Sequence, residues 1–451
     1  MGLFSSMIIS AEALRVFEKA LTVTQNNVSN AQTPGYARQR ALFEAMPLDT
    51  DMGLPGGVRF GAVQSARDQY AEQAVRQQTG RHAELEQRQA ELERLEPLFD
   101  ARGEAGIPGA LNRLFQGFSA WSVAPNNAVA RGAVIERARY MAAAFVETAQ
   151  GLMQSSVAAD QQIRNGVDAI NNLARTLKDL NTQQRHDFRS ASDPAIDAQV
   201  NNTLEQLAEY VDFTTLKQAD GSLTVLLGGQ TALVIGDRQF EISADTSSTQ
   251  AVLRDAENRD ITAQVSGGRL GALLEIKNTT IPSFSADLNR LAAGLADRVN
   301  AVLAAGVDSN GWPGAALFAY NSTDDAAATL RVTSILPEEL AAATPDAPGG
   351  NGNALQLTQL ADSPEIDGTS FMEYYGTLAR QVGRALETTR ENQQTQEQLL
   401  LQTEAFRSQI SGVSLDEEAA LLIEFQRSYQ ASARLVSILD QLTEETINLA
   451  R

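Results

Sequence analysis

Apolar repeats with a seven-residue period lie near both ends of this chain, and they constrain its fold more than any other feature. They consist of Met7, Leu14, Leu21 and Val28 in the first stretch, and of Leu422, Tyr429 and Val436 in the second, with Leu439 continuing the second stripe. A sustained repeat of this period is typical of helices that pack side by side. We therefore predict two long terminal helices that bury their stripes on each other and leave apolar surface for neighbouring molecules.

The first repeat stops at Pro34-Gly35. Proline cannot continue the hydrogen bonding of a helix, and glycine permits backbone angles that other residues resist. We expect the first helix to end near Asn30 and a turn to follow. The second repeat should begin at Ser414, because Glu417 three residues later completes the pattern of a capping box.

Between the two repeats the chain alternates between helical and strand-like patterns. Helical periodicity is clear over 64–98, 128–184, 271–305 and 371–410, whereas short strands separated by Gly-containing turns fill 213–242. The predicted fold class is mainly α with an inserted β-rich domain (α+β), built from a long-helix bundle and a coiled-coil-like terminal layer. The predicted domains are 1–33 with 412–451 (terminal helices), 34–204 with 268–411 (helix bundle, with a hairpin or loop near 37–63) and 205–267 (small β domain).

Composition removes several classes of function. The chain has no Cys and only two His, so thiolate catalysis, Fe–S clusters and His-based metal sites are disfavoured. We expect no catalytic residues, no metal and no cofactor. The net charge of −20 argues against nucleic-acid binding, and no apolar run is long enough to cross a membrane. No cleavable secretory signal is visible.

Two basic residues follow the turn. Arg38 and Arg40 are expected to be solvated, and the alternative is that they pair with acidic groups of a neighbouring subunit.

Two motifs carry a resemblance to a known family. Asn27-Val28-Ser29-Asn30-Ala31 with Thr33-Pro34-Gly35-Tyr36-Ala37-Arg38-Gln39 resembles the N-terminal motif of the bacterial flagellar axial proteins, the rod, hook and hook-associated family. Gly412-Val413-Ser414-Leu415-Asp416-Glu417-Glu418, followed by Phe425-Gln426 and Tyr429-Gln430-Ala431, resembles the matching C-terminal motif. The resemblance continues through 267–274, 308–311 and 351–355, and so covers nearly the whole chain. Between Phe318 and Leu330 this sequence has only a short link where larger relatives carry further β-rich material.

The resemblance implies a structural protein at the hook–filament junction that is needed for filament assembly. It implies an extracellular location, reached through the flagellar type III export pathway, and terminal segments that are disordered in the monomer. The inner helical layer would be formed by the repeat residues, namely Met7, Leu14, Leu21, Val28, Leu422, Tyr429, Val436 and Leu439. Asn27, Asn30, Pro34, Gly35 and Tyr36 would form a hinge, although helix termination alone explains the first four equally well.

The implied partners are other copies of the chain, the hook protein, the next junction protein (hook-associated protein 3) and an export chaperone on the C-terminal helix. A hook or distal-rod protein is the alternative within the family. Outside it, a peptidoglycan-cleaving enzyme would need a carboxylate pair in a cleft, which the sequence does not suggest. A cytosolic coiled-coil scaffold would explain the repeats, but it would not explain the Thr-Pro-Gly-Tyr turn.

Overall fold

The computed structural model of the chain describes residues 2–49, 54–100, 106–186, 193–218 and 220–449. Parts of the predicted domains lie outside the described residues, namely 1, 50–53, 101–105, 187–192, 219 and 450–451. Eleven α-helices lie within the described residues: α1 (Gly2–Ser29), α2 (Gln69–Leu95), α3 (Gly106–Val123), α4 (Ala128–His186), α5 (Pro194–Tyr210), α6 (Gly268–Glu275), α7 (Ile281–Ala305), α8 (Ala326–Thr329), α9 (Gly352–Gln359), α10 (Phe371–Ser411) and α11 (Leu415–Leu449). A π-helical turn, Ile276–Thr280, joins α6 to α7.

The strands of the described residues are short. They are β1 (Gln39–Ala45), β2 (Leu48–Asp49), β3 (Leu54–Pro55), β4 (Val58–Ser65), β5 (Phe213–Lys217), β6 (Leu223–Leu227), β7 (Thr231–Ile235), β8 (Arg238–Gln239), β9 (Ser243–Asp245), β10 (Val252–Arg254), β11 (Phe318–Ala319) and β12 (Arg331–Val332). β1 pairs antiparallel with β4 in a hairpin after the first turn, and β5 to β8 form a four-stranded antiparallel meander. The predicted class, mainly α with an inserted β-rich region, is confirmed.

Local chemistry explains where the terminal helices stop and start. α1 ends at Ser29, five residues before Pro34. α11 begins directly after Ser414, whose side-chain oxygen accepts a hydrogen bond from the Glu417 amide at 3.4 Å. Three acidic residues in the first turn of α11 suit the positive end of the helix dipole. The predicted capping box is only half formed, because the Glu417 carboxylate contacts Arg38.

The chain divides into two compact units. The first comprises Met1–His82, Ile170–Glu241 and Gln396–Arg451. In it α1 packs along α11, the β1–β4 hairpin packs against α1, and the meander is bonded to the end of α4 through Asn181, which is 1% exposed. The Asn181 amide nitrogen donates to the Leu223 and Gly236 carbonyls, at 2.8 Å each.

The second unit, Ala83–Ala169 with Ile242–Thr395, contains a large apolar core. Its largest fully buried side chains are aromatic: Trp121, Tyr375, Phe118, Phe145, Phe318 and Phe371. A buried ion pair lies in the same unit, where the Lys277 ammonium is 2.8 Å from the Asp160 carboxylate and donates to the Ser156 hydroxyl at 2.8 Å. The predicted three-domain boundaries are not tested by this two-unit division and stay a prediction.

Candidate assembly site at the terminal helices

One face of α1 is closed off from solvent. Val16 and Ala20 on this face are fully buried, and Thr24 is 3% exposed. The Thr24 hydroxyl donates to the Ala20 carbonyl at 3.1 Å, so its burial leaves no hydroxyl donor unpaired. The face that α1 buries within the chain therefore runs through residues spaced by four. These residues are not among those that the seven-residue repeat predicts for the interface.

The predicted interface residues lie beside that buried face. Met7, Leu14 and Leu21 are half-buried and Val28 is 37% exposed. On α11 the corresponding residues are Leu422, Val436 and Leu439, which are half-buried, and Tyr429, which is 38% exposed. The helix pair thus leaves part of each predicted row open, and contact of these rows with another molecule stays a prediction.

α11 carries a second apolar row that is far more open. Leu435 is 53% exposed, Ile438 52%, Leu442 42% and Leu449 88%. These residues are spaced by three, four and seven, so they share one side of the helix. Contiguous exposed apolar surface of this kind is typical of protein–protein contact sites.

Three phenylalanines connect the helix pair to the hairpin. The Phe17 ring centroid lies 6.4 Å from that of Phe43 and 6.5 Å from that of Phe425, and the Phe43 and Phe425 centroids are 5.9 Å apart. These rings come from α1, β1 and α11. Aromatic pairs at such distances stabilise a fold beyond the area they bury. The sequence carried no signal that these three rings would meet.

The N-terminal and C-terminal motifs meet in a cluster of polar side chains, Asn27, Tyr36, Arg38, Glu417 and Glu418, which we call the joint. Asn27 lies at its centre. Its side chain is 1% exposed and uses both ends of the amide. The nitrogen donates to the Gln39 carbonyl at 2.8 Å and to the Glu418 carboxylate at 3.0 Å. The oxygen accepts from the Gln39 amide at 2.9 Å and from the Tyr36 hydroxyl at 3.0 Å. One side chain of α1 therefore binds both the strand that follows the turn and the first turn of α11.

Arg38 reinforces this joint from the strand side. Its guanidinium donates to the Glu417 carboxylate at 2.7 Å, and its Nε lies 2.7 Å from Oε1 of Glu418 in an ion pair. The Glu418 side chain is 1% exposed; Arg38 balances its charge, and its second oxygen accepts a hydrogen bond from the Asn27 amide. The prediction that Arg38 is solvated was wrong, since its side chain is only 15% exposed and pairs within the chain. Arg40 is exposed, as expected.

The other turn residues have local roles. The Asn30 side-chain nitrogen donates to the Asn26 carbonyl at 2.9 Å, and the Thr33 hydroxyl donates to the Asn30 side-chain oxygen at 3.2 Å. Pro34 is exposed, and Gly35 has φ +73°. Burial, and then the nearby Glu418 carboxylate, raise the pKa of Tyr36 to about 12. The phenol is therefore neutral at physiological pH and remains a hydrogen-bond donor to Asn27.

The joint consists of amide, carboxylate and guanidinium groups that already bind one another. Among the described residues no group of three or more His, Asp or Glu could hold a metal ion. Within the described ranges no helix is both long and apolar enough to cross a bilayer. The arrangement is suited to holding two helices in register and to presenting their open apolar rows.

Family models match two parts of the chain. The model of the "Flagellar hook-associated protein FlgK helical domain" matches residues 92–318, half of the chain. The model of the "Flagellar basal body rod FlgEFG protein C-terminal" matches residues 407–449, which include all of α11.

Full-length relatives agree with these models. The flagellar hook-associated protein 1 of Bacillus subtilis (strain 168) is 26% identical over 498 aligned residues, which cover 99% of this chain and 98% of that protein. The protein of the same name from Escherichia coli (strain K12) is 22% identical, with 99% of this chain and 100% of that protein covered. The solved structure of the flagellar hook junction protein FlgK from Burkholderia pseudomallei has a TM-score of 0.67 at 16% identity, covering 75% of this chain and 100% of that chain, and it shows the likeness of fold.

The paired terminal helices, their joint and these matches define an axial structural protein of the bacterial flagellum. Within that class, the chain belongs to the flagellar hook-associated protein FlgK family, because the helical-domain model spans half of its length. The resemblance seen in the sequence motifs is thereby confirmed.

Proposed function

We propose that this chain forms the junction between the flagellar hook and the filament and is needed for filament assembly. The observation that carries the proposal is the terminal helix pair. Its two helices are held together by contacts such as the Asn27–Glu418 hydrogen bond, yet α11 keeps an exposed apolar row at Leu435, Ile438 and Leu442. The full-length relatives named as hook-associated protein 1 support the same role. We assign the chain a structural role and no catalytic activity.

Polymerisation follows from the geometry of the open rows. The open row on α11 and the partly open row of α1 (Met7, Leu14, Leu21 and Val28) lie on different helices, so one subunit can offer one row to a different row on the next. Contacts between unlike surfaces generate helical or ring arrays. In this proposal the terminal segments are disordered in the monomer and become ordered on assembly. Burial of apolar surface between subunits would offset the entropy that the segments lose when they become ordered.

Other partners would contact the same terminal region. The hook protein would lie on one side of the array and the next junction protein, hook-associated protein 3, on the other. An export chaperone would cover the open row of α11 before assembly, because contiguous apolar surface is otherwise prone to association. Export through the flagellar type III pathway would then deliver the chain outside the cell without a cleaved signal. A pull-down with α11 (415–449) as bait tests the chaperone, and the absence of any specific partner would count against it.

A deletion strain separates the junction role from its alternative. We expect cells that lack the chain to build normal hooks, to lack filaments and to release filament subunits into the medium. Hooks would be counted by electron microscopy, and released subunits would be measured by immunoblot. Absent hooks would instead assign the chain to the hook or distal rod.

The role of the terminal helices is tested separately with variants. Removing 414–451 should abolish incorporation into flagella while the circular dichroism of the remaining helices persists. A finer variant, Leu435→Ser with Ile438→Ser, should also block incorporation. Val129→Ser changes an even more exposed apolar side chain (80%, against 53% and 52%) far from the terminal helices in sequence and should not block it. Normal incorporation of the Leu435/Ile438 variant would contradict the proposed interface.

A further inference from the structure

Arg67 connects the turn after α1 to two other elements of the same unit. One Nη nitrogen donates to the Gly35 carbonyl at 2.6 Å, the other lies 2.5 Å from the Glu72 carboxylate, and Nε donates to the Asp197 carboxylate at 2.8 Å. Its side chain is 9% exposed and that of Glu72 is 7% exposed. The three partners belong to the turn, α2 and α5. A planar guanidinium can reach all three at once because its donors point in fixed, different directions.

A second arginine completes this charge network from α10. Arg407 donates to the Glu205 carboxylate at 2.7 Å and to Glu72 at 3.4 Å. Burial alone would lower the pKa of Arg407, but its hydrogen bonds to Glu205 and Glu72 raise it. Glu72 is thus held between two cations, which keeps the anchor of Arg67 in place.

The turn is pressed against α5 at Gly35. A Cβ atom at this position would lie 2.4 Å from the Ala198 carbonyl oxygen and 3.0 Å from the Asn202 amide nitrogen. The adjoining backbone is also bonded on both sides, since the Arg38 amide donates to the Ser411 carbonyl at 2.9 Å and the Arg38 carbonyl accepts from the Ala66 amide at 2.8 Å. The path of the chain from the turn into β1 is therefore defined by contacts outside the terminal helices as well as by those with α1 and α11.

We propose that Arg67 is the positioning residue of the terminal helix pair: it holds the Gly35 turn on α2 and α5, so that α1 leaves the turn in one direction. In this proposal the turn that was predicted as a hinge is rigid and sets the direction of α1. α1 has 28 residues, which corresponds to a length of about 42 Å, so a swing of about 10° at the turn would displace its far end by about 7 Å. A displacement of that size approaches the spacing of packed helices, about 8–10 Å, and would take the open rows out of register with a neighbouring subunit.

This inference rests on the proposed junction role, and its test separates the two. Hydrogen exchange of the full-length monomer, read by mass spectrometry, reports the turn and β1 (34–45) without any need for assembly. Arg67→Ala should raise exchange there about ten- to a hundredfold, the factor expected for loss of a hydrogen bond to a charged group. Arg67→Lys should raise exchange over 34–45 by nearly the same factor, because one ammonium group cannot contact Gly35, Glu72 and Asp197 at the same time. Asp197→Asn should give a smaller increase, since one of the three partners is weakened.

Control measurements exclude a general loss of folding. Arg59→Ala removes a guanidinium whose ion pair with Glu44 is solvent-exposed (63% and 51%), and it should change exchange over 34–45 by less than about fivefold, since exposed pairs contribute about 1 kcal/mol or less. Exchange over 134–152 of α4 and the far-ultraviolet circular dichroism should be unchanged in every variant. The second readout is the amount of each variant in purified flagella, which should fall for both Arg67 variants.

Each outcome bears on the inference. Unchanged exchange over 34–45 in Arg67→Ala would overturn it, and so would wild-type behaviour of Arg67→Lys in both readouts. Faster exchange together with normal incorporation would show that the turn is loosened without consequence, which also overturns the positioning role. If the wild-type chain is absent from the junction, the proposed function fails, while the exchange result still shows whether Arg67 holds the turn.

Discussion

Replacing Gly35 by Ala should destabilise the turn after α1 more than the same replacement destabilises the surroundings of Gly229, which has the same φ. The position combines two costs. Its φ of +73° lies in the left-handed region, where an L side chain costs about 1–2 kcal/mol. The added methyl would also meet the Ala198 carbonyl oxygen at 2.4 Å, a backbone atom that cannot move aside as a side chain can.

Gly229 provides a matched control for the first cost. It has the same φ of +73° and belongs to the same unit, but the nearest atom to an added Cβ would be the Thr214 hydroxyl oxygen at 3.9 Å. The strain at Gly229 is partly offset by the smaller entropy of the unfolded Ala chain, about 0.4–1 kcal/mol, so Gly229→Ala should cost about 1 kcal/mol or less. Gly35→Ala should cost about 1–4 kcal/mol, because overpacking adds about 1–3 kcal/mol.

Native-state hydrogen exchange measures both costs as free energies of local opening. The segment to follow is 34–45 for Gly35→Ala and 223–239 for Gly229→Ala, each compared with the wild-type chain. We expect the Gly35 variant to lose at least about 1 kcal/mol more than the Gly229 variant, which is about a fivefold difference in exchange. Equal losses in the two variants would refute the argument that the turn is packed against the backbone of α5.

Three further outcomes are expected. In assembled subunits Val16→Ala should destabilise the helix pair by about 2 kcal/mol because it removes buried methyl groups, and hydrogen exchange of α11 in purified flagella should become faster. Ile8→Ala, at a 66% exposed site, should reduce incorporation into flagella but leave the exchange of α11 in the incorporated subunits unchanged. The raised pKa of Tyr36, about 12, means that the folded chain favours the neutral phenol. The resulting stabilisation of the fold is complete below pH 10 and is lost as the pH rises from 10 through 12. The difference between the ultraviolet titrations of the wild-type and Tyr36→Phe chains should show this ionisation. Lys277→Met should cost about 3–5 kcal/mol in urea unfolding because it breaks a buried ion pair, while Arg139→Met at an exposed pair should cost about 0.5 kcal/mol or less.

The sequence was sufficient to predict those features that depend only on residues close together in the chain. The stop of α1 before Pro34-Gly35, the start of α11 after Ser414 and the strands after Phe213 all follow from local turn and capping chemistry. The two motifs at opposite ends were sufficient to indicate the family. These inferences succeed because proline, glycine and capping side chains act within a few residues of their position.

The joint itself could not be read from the sequence. Arg38 and Glu418 are hundreds of residues apart in the chain, and nothing local distinguishes Arg38 from the exposed Arg40. Arg67 has the same ambiguity, because its three partners come from a turn and two helices that only the fold brings together. A charged side chain is buried only where the tertiary structure supplies its partners.

The apolar repeats show the same division between local pattern and tertiary packing. The sequence by itself determined that both ends form long helices with apolar stripes, because periodicity depends only on the spacing of side chains around a helix. It did not determine which stripe the chain would cover. The tertiary structure rotates α1 so that Val16 and Ala20 are fully buried and the row containing Leu14 and Leu21 is only half covered. That choice depends on the shapes of α11 and the hairpin, and α11 meets α1 only when the two ends of the chain come together.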